Sequence, residues 1–373
     1  MKNFTALMLS FLLSLIFGAG IAAATGFNAM AVSGVLIAFS FIPFSPRGAL
    51  SMAATITVAD IISEFGTYLG QNTTQILKLL TQPTESQKFM TTIASKELEW
   101  RASKAVIDDV VQGFQKGWTP KGTAAFTPRS IVQRRHKFDI AFYPDEVVDT
   151  WLGFLADEAT DRKTWGITRY ILEQLVLPKV LENRELKLIA KGDYASVVAD
   201  TAQATGLSMD GFCTQLEDAK TAGTSAINFI TLDKLTPTNI FDQVEEFAAA
   251  VDAMYQNMNM PIFVSRGLYM AYHKRRRDLH GLDTNYNGMA DIIEGTSLKL
   301  TPLPSMAGKD IIFTTPKENF IRLINRNDGA SNIAVENVDR QIKIYADWYE
   351  AVGFGIEEAV FASVPAAADS GSL

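Results

Sequence analysis

The sequence is short of the residues that most chemistry needs. Among its 373 residues are one cysteine, Cys213, and three histidines. A single cysteine excludes an intrachain disulfide framework and any zinc site built on several thiolates. Cys213 falls on an amphipathic stretch and reads as a buried structural thiol. His136, His273 and His280 have no ligand spacing, and the last two stand about two helical turns apart, too far to chelate one ion. The motifs of common enzymes are missing as well. There is no GxxxxGK(S/T) phosphate loop, no HExxH, no CxxC and no GxSxG elbow. Gly353-Phe354-Gly355 lacks the third glycine of a dinucleotide fingerprint. No catalytic residues, small-molecule substrate or organic cofactor are expected.

Charge is missing from one end. Lys2 is the only charged residue before Arg47. Two apolar runs fill this head. Residues 4–24 are long enough to span a bilayer, and 29–44 are somewhat short. Lys2, the apolar stretch 7–16 and the small residues 20–24 also have the layout of a secretory signal. Residues 1–50 therefore read in three ways: as a signal or membrane anchor, as a buried arm packed on neighbouring subunits, or as a segment removed during maturation. The rest of the chain carries the charge of an ordinary globular protein. The net charge of −7 argues against a surface given over entirely to nucleic acid.

Residues 51–115 read as a helical arm. Within it Trp100, Ile107, Val110, Val111 and Phe114 recur at helical spacing, which predicts a helix over 96–114. Breakers at 117–122 follow, then strand-like pieces near 131–133 and 137–143. Together 117–143 read as a projecting β-loop. Its cations Arg129, Arg134, Arg135 and Lys137 are either a solvated face or contacts to an acidic neighbouring subunit. A long helix is expected over 157–191, with Trp165, Thr168, Leu172, Leu175 and Val176 inside and Pro178 kinking or restarting it. Residues 206–335 read as a separate α/β unit. Helices are expected over 208–222, 238–255 and 265–279, and strands over 228–232, 261–264 and 311–314. In 341–348, Ile342, Ile344 and Ala346 alternate with Lys343, Tyr345 and Asp347, the period of a half-buried strand. Gly353 and Gly355 then turn the chain into a last strand over 358–364.

One motif matches a metal-binding pattern in full. Asp283, Asn285, Asn287 and Gly288, followed by Glu294, have the spacing of a twelve-residue calcium loop. Asp283, Asn285, Asn287, the Met289 carbonyl, Asp291 through a water, and Glu294 would be the ligands. The rival reading of the same residues is a β-hairpin turning at Asn287-Gly288. The basic run Lys274-Arg275-Arg276-Arg277 reads as a solvated helix end or as a contact to nucleic acid or an acidic neighbour.

The order of these elements resembles the major capsid proteins of tailed phages, the Hong Kong 97-type fold. The similarity runs through the loop 117–143, the spine 157–191 with Leu177-Pro178-Lys179-Val180-Leu181, the strand-to-helix step Pro261-Ile262-Phe263-Val264-Ser265, and the return from Val338 to Phe361. The resemblance implies an α+β fold in six parts. These are an uncharged N-terminal segment (1–50), a helical N-terminal arm (51–115), an extended β-loop (116–150), a peripheral-domain spine helix (151–205), an axial domain (206–335), and a peripheral return with a C-terminal tail (336–373). It implies self-assembly into hexamers and pentamers of an icosahedral shell, with portal and scaffold proteins as partners and packaged DNA bound without sequence specificity. The location it implies is the virion, after assembly in the host cytoplasm. The rival function, read from the head alone, is an exported or membrane-anchored bacterial binding protein with one calcium loop.

Overall fold

The computed structural model describes Tyr68, Ile76, Leu79, Leu80 and residues 82–102, 105–107, 110–122, 124–126, 129–157, 166–281, 291–325, 333–338 and 341–365. The expectations for the uncharged head, for Trp165 and for the first half of the calcium motif lie outside these residues.

The period-two pattern around Ile342 extends further than expected. A fourteen-residue strand, Gln341–Phe354, runs straight through Gly353, which pairs with Ile321 instead of turning the chain. This strand organises the first sheet. Arg134–Phe142 pairs antiparallel along one of its edges. Ile333–Val338 and Phe320–Asn325 share the other, and Thr91–Ser95 lies parallel to Phe320–Asn325. Arg134, Arg135 and Lys137 thus sit on a sheet strand, not on a projecting loop.

A second five-stranded sheet has the order Asn228–Phe229, Phe361–Ser363, Ile312–Thr314, Pro261–Ser265, Lys299–Leu303. Two helices, Ile240–Ala250 and Arg266–His280, cover it. Ile240, Val244, Phe247 and Leu268 pack on Ile262, Val264 and Leu300. Ser265 caps the second helix, its hydroxyl accepting from the Leu268 amide at 3.4 Å, as its place after an apolar strand predicts.

Phenylalanines join the two sheets. Phe320 and Phe354 come from the first, Phe263 and Phe313 from the second, and Phe212 from the helix Phe212–Ala222. Ring centroids lie 4.9 Å apart for Phe263 and Phe313, 5.3 Å for Phe212 and Phe313, and 5.4 Å for Phe320 and Phe354. These are spacings at which aromatic pairs attract beyond simple burial.

The spine helix is shorter than expected. It runs over 167–188, and a separate helix, Pro144–Asp157, precedes it. Tyr170–Val176 and Arg184–Leu188 are wound as π-helix. The amide of Leu177 reaches back five residues to Leu172, a wider turn that carries the helix past Pro178 without a break. The wider turn also shifts the apolar phase. Leu172 and Val176 are buried as expected, but Leu175 faces solvent. Gly192, beyond the helix, and Gly211 allow a close backbone crossing. A Cβ at Gly211 would lie 2.4 Å from the Ala190 carbonyl oxygen, and one at Gly192 would lie 2.3 Å from that of Met209.

The helix expected over 96–114 is absent. Glu99–Ala102 pairs antiparallel with Arg129–Val132, and Ala105–Ile107 with Ala124–Phe126. The extended loop therefore begins near Glu99, not near 116, and is a two-stranded ribbon. Its base is anchored where Ile131 and Trp100 pack on Ile321, Leu323 and Ala351. Long-range pairing overrode an accidental local period.

Phe313→Ala empties the centre of the inter-sheet core and is expected to cost about 3–5 kcal/mol. Equilibrium denaturation by urea, followed by tryptophan fluorescence and by far-UV circular dichroism, measures it.

Candidate functional site

The alternation that buries Ile342, Ile344 and Ala346 also points Trp348 and Glu350 inward. Glu350 is only 2% exposed, and a lone buried carboxylate would be prohibitive. Four side chains resolve the problem. Arg184 of the spine helix donates from Nε to Oε2 at 3.0 Å and from Nη2 to Oε1 at 2.6 Å. Arg322, one strand over, donates to Oε1 at 2.9 Å. Gln87 donates at 2.6 Å, and the Trp348 indole at 3.3 Å. Burial alone would raise the Glu350 pKa. The two guanidinium groups, Arg184 first, outweigh that and hold it well below the usual carboxylate range.

This network also holds the segment before the ribbon. Arg184 Nη1 donates to the carbonyls of Leu80 at 2.8 Å and Gln82 at 3.2 Å. Gln87 Oε1 accepts from Arg184 Nη2 and from the Thr84 amide. One residue further along the spine, Glu185 accepts from the Ser86 amide and hydroxyl, and the Ser86 and Ser305 hydroxyls lie 2.6 Å apart. Spine, sheet and arm are thereby fastened at one place. His136 lies beside it, stacked on Trp348 with centroids 5.5 Å apart, and its Nδ1 is 3.0 Å from Ser208 Oγ. Burial pushes the His136 pKa down, against the pull of Glu350. Sequence patterning alone did not single out this cluster; the signal was the carboxylate at an inward register position.

The ribbon ends in an exposed apolar tip. Phe114 is 95% and Trp118 92% exposed, and Val110 and Val111 are exposed beside them. The tip is cross-linked by polar contacts. Gln112 donates to the Thr119 carbonyl at 2.6 Å, Gln115 to the Thr119 hydroxyl at 2.7 Å, and Lys121 to the Val111 carbonyl at 2.7 Å. The apolar side chains are therefore displayed by a structured loop.

The four expected contact cations do not form one patch. Arg129, at the ribbon base, pairs with Glu357, which also accepts from Ser225 and the Ala226 amide. The Arg134 guanidinium sits 3.7 Å over the ring of Tyr194. Arg135 pairs with Asp347 and Lys137 with Asp139, both on the solvent side of the sheet.

Asp283, Asn285, Asn287 and Met289 fall outside the described residues. Of the other two expected calcium ligands, Asp291 accepts from Tyr269 Oη at 2.7 Å and lies 3.5 Å from His273 Nε2, while Glu294 is 3.4 Å from Arg276. Burial, aided by the Asp291 hydrogen bond, pushes the Tyr269 pKa up to about 12, so its phenol donates steadily at neutral pH. Cys213 is fully buried, which pushes its thiol up and keeps it protonated. Among the described residues no three His, Cys, Asp or Glu side chains gather as metal ligands, and no helix is long and apolar enough to cross a membrane.

Glu350→Gln leaves two buried guanidinium groups without their counter-charge. It is expected to cost about 3–5 kcal/mol, read as a lower denaturation midpoint. The pH dependence has a definite sign. A histidine whose pKa is lower folded than unfolded binds more protons when unfolded, so stability falls as pH drops below the ordinary value of about 6.5. Denaturation midpoints between pH 7.5 and 5 should therefore decline. His136→Gln should make the decline shallower without abolishing it, because burial also shifts His273 down.

No family model and no curated protein matches the sequence. Solved structures with a similar arrangement exist. The chain is similar to a subunit of the satellite phage P4 procapsid that includes the size determination (Sid) protein, at 11% identity and a TM-score of 0.49, over 81% of this chain and 96% of that one. It is similar to the capsid of the native GTA particle, at 9% identity and a TM-score of 0.45, over 76% and 97%. The holo-SrpI encapsulin complex from Synechococcus elongatus PCC 7942 is similar at 8% identity and a TM-score of 0.42, over 76% and 88%.

Proposed function

We propose that this protein is a major capsid protein: a structural subunit that assembles with copies of itself into a closed shell around DNA. The observation that carries the reading is the ribbon over 99–132. It is anchored on the first sheet at its base and ends in four exposed apolar side chains at 110–118. A lone subunit gains nothing from displaying phenylalanine and tryptophan on an ordered projection; a neighbour that covers them does. The buried Glu350 network supports the same reading, because a subunit that bears load between neighbours needs its distant segments cross-braced.

On this reading the partners are hexamers and pentamers of the same chain, with portal and scaffold proteins at the shell, and the location is the virion after assembly in the host cytoplasm. The division into parts belongs to the same proposal, with the extended loop taken as the ribbon over 99–132 and the spine helix as 167–188. So does a contact role for the four cations. Arg135 and Lys137, which are exposed, can exchange their present partners for a neighbour's acids, while Arg129 and Arg134 hold the ribbon base and sheet in position for it. The role is structural, with no catalytic step.

The tip provides the test. Phe114→Ser with Trp118→Ser removes apolar area that touches little within the subunit. The melting temperature should stay within about 2 °C of the parent, since surface changes of this kind have small effects. Particles seen by electron microscopy and sedimentation should be lost. Particles formed as readily as by the parent would sink the reading. So would a parent chain that stays monomeric at every concentration.

Calcium is the remaining candidate ligand. With Tyr269, His273 and Arg276 already on Asp291 and Glu294, melting temperatures in millimolar calcium and in a chelator should coincide. A calcium-dependent rise that Asp283→Ala abolishes would establish the loop as a site instead.

A further inference from the structure

The helix Arg266–His280 buries Leu268, Tyr269, Tyr272 and His273 against the second sheet. Its opposite face is a stripe of Arg266, Met270, Lys274 and Arg277, all exposed. These positions follow the three- and four-residue steps that place side chains on one side of a helix. Arg266 to Arg277 spans about 16 Å along the axis.

What sets the C-terminal half of this face apart is that its cations are uncommitted, whereas Arg266 sits 5.5 Å over the ring of Tyr269. Arginines elsewhere among the described residues are held by a carboxylate or an aromatic ring, as Arg101, Arg129, Arg135, Arg169, Arg184, Arg276 and Arg322 are by Asp or Glu and Arg134 by Tyr194. Arg275 and Arg277 have neither. Lys274 has no ion pair, although Asp278 stands four residues on. Arg275 turns its stem inward, and its Nε is buried with no hydrogen-bond partner. Lys274 and Arg277, one turn apart, exposed and unpaired in a chain of net charge −7, form a site that an anion completes. Guanidinium groups match the oxygens of a phosphate in pairs of hydrogen bonds. Repeating positive charge along one line matches a phosphodiester backbone, which offers a charge about every 3.4 Å along each strand.

We infer that Lys274 and Arg277, with Arg266 at the far end of the stripe, form a contact to the phosphate backbone of nucleic acid. This inference rests on the shell reading, since it assigns the helix face that meets the enclosed DNA. It does not depend on base sequence, because nothing on this face reads base edges.

The experiment uses the full chain and a fluorescently labelled duplex DNA of random sequence, with binding followed by anisotropy across a salt series. Lys274→Gln with Arg277→Gln should weaken binding about tenfold or more at 0.1 M salt. It should also flatten the slope of log affinity against log salt by about two, one for each phosphate that is no longer neutralised. Lys96→Gln with Lys317→Gln removes two exposed cations elsewhere and should change neither. No binding by the parent, unchanged binding by the first double variant, or equal weakening in both would overturn the inference. So would polyglutamate binding as tightly as DNA at matched charge, which would assign the face to an acidic protein. Electron microscopy of the same preparations separates the two levels. Particles together with unaltered DNA binding by the first variant remove only this inference, whereas a parent that forms no particles removes the shell reading.

Discussion

One buried carboxylate sets the terms for the rest of the molecule. Glu350 occupies an inward position of the longest strand, where the pattern calls for an apolar side chain. Once there, it must be fully satisfied, because an unpaired charge at that depth costs more than a whole domain can supply. Satisfying it takes Arg184 from the spine, Arg322 from the neighbouring strand and Gln87 from the arm. These residues lie far apart in sequence and on different elements. The network forms only when all of them have arrived, so it couples spine, sheet and arm into one unit. An apolar residue at the same place would have packed comparably, but without fixing which segments meet.

The phenylalanine core does complementary work. It supplies non-directional attraction between the two sheets, while the charge network supplies register. The π-wound turns of the spine connect them. They take the helix past Pro178 and present Arg184 to Glu350 while keeping Leu188 and Ile189 in the core. The glycine crossing at 192 and 211 then allows the chain to leave the spine end under close packing. The base of the ribbon is pinned to this assembled body through Trp100, Ile131 and Arg129.

Much of the body was legible in the sequence, and the reasons are local. The alternation at 341–348, the strand-to-helix step at Pro261–Ser265 and the helix ending at Ala222 before Gly223 all depend on nearest neighbours. The failures involve residues far apart in the chain. Trp100 and Ile107 had helical spacing with Val110, Val111 and Phe114, but the first two pair across the ribbon, which no local period encodes. Leu175 was misplaced because a π-turn advances the phase differently from an α-turn. The strands Thr91–Ser95 and Phe320–Asn325 were missed because each is stabilised by the other. Glu350 could have been found: extending the alternation by two more steps places a carboxylate inside, and a buried acid demands buried cations.

Magnitudes explain why an assembly surface leaves no motif. Burying an apolar side chain such as Phe114 or Trp118 yields about 1.5–3 kcal/mol, so four at the tip offer about 6–12 kcal/mol. Bringing two subunits together costs about 4–15 kcal/mol in restricted freedom. One tip contact by itself is therefore weak and reversible. In the shell proposed for this protein every subunit would make such a contact twice, once as donor of a tip and once as its receiver, and the entropy cost would not be repeated for each. Weak pairwise contacts allow wrongly placed subunits to leave, while closure makes the finished shell stable. Such a surface needs only ordinary apolar residues displayed on an anchored support, and here the ribbon base packs on Ile321, Leu323 and Ala351.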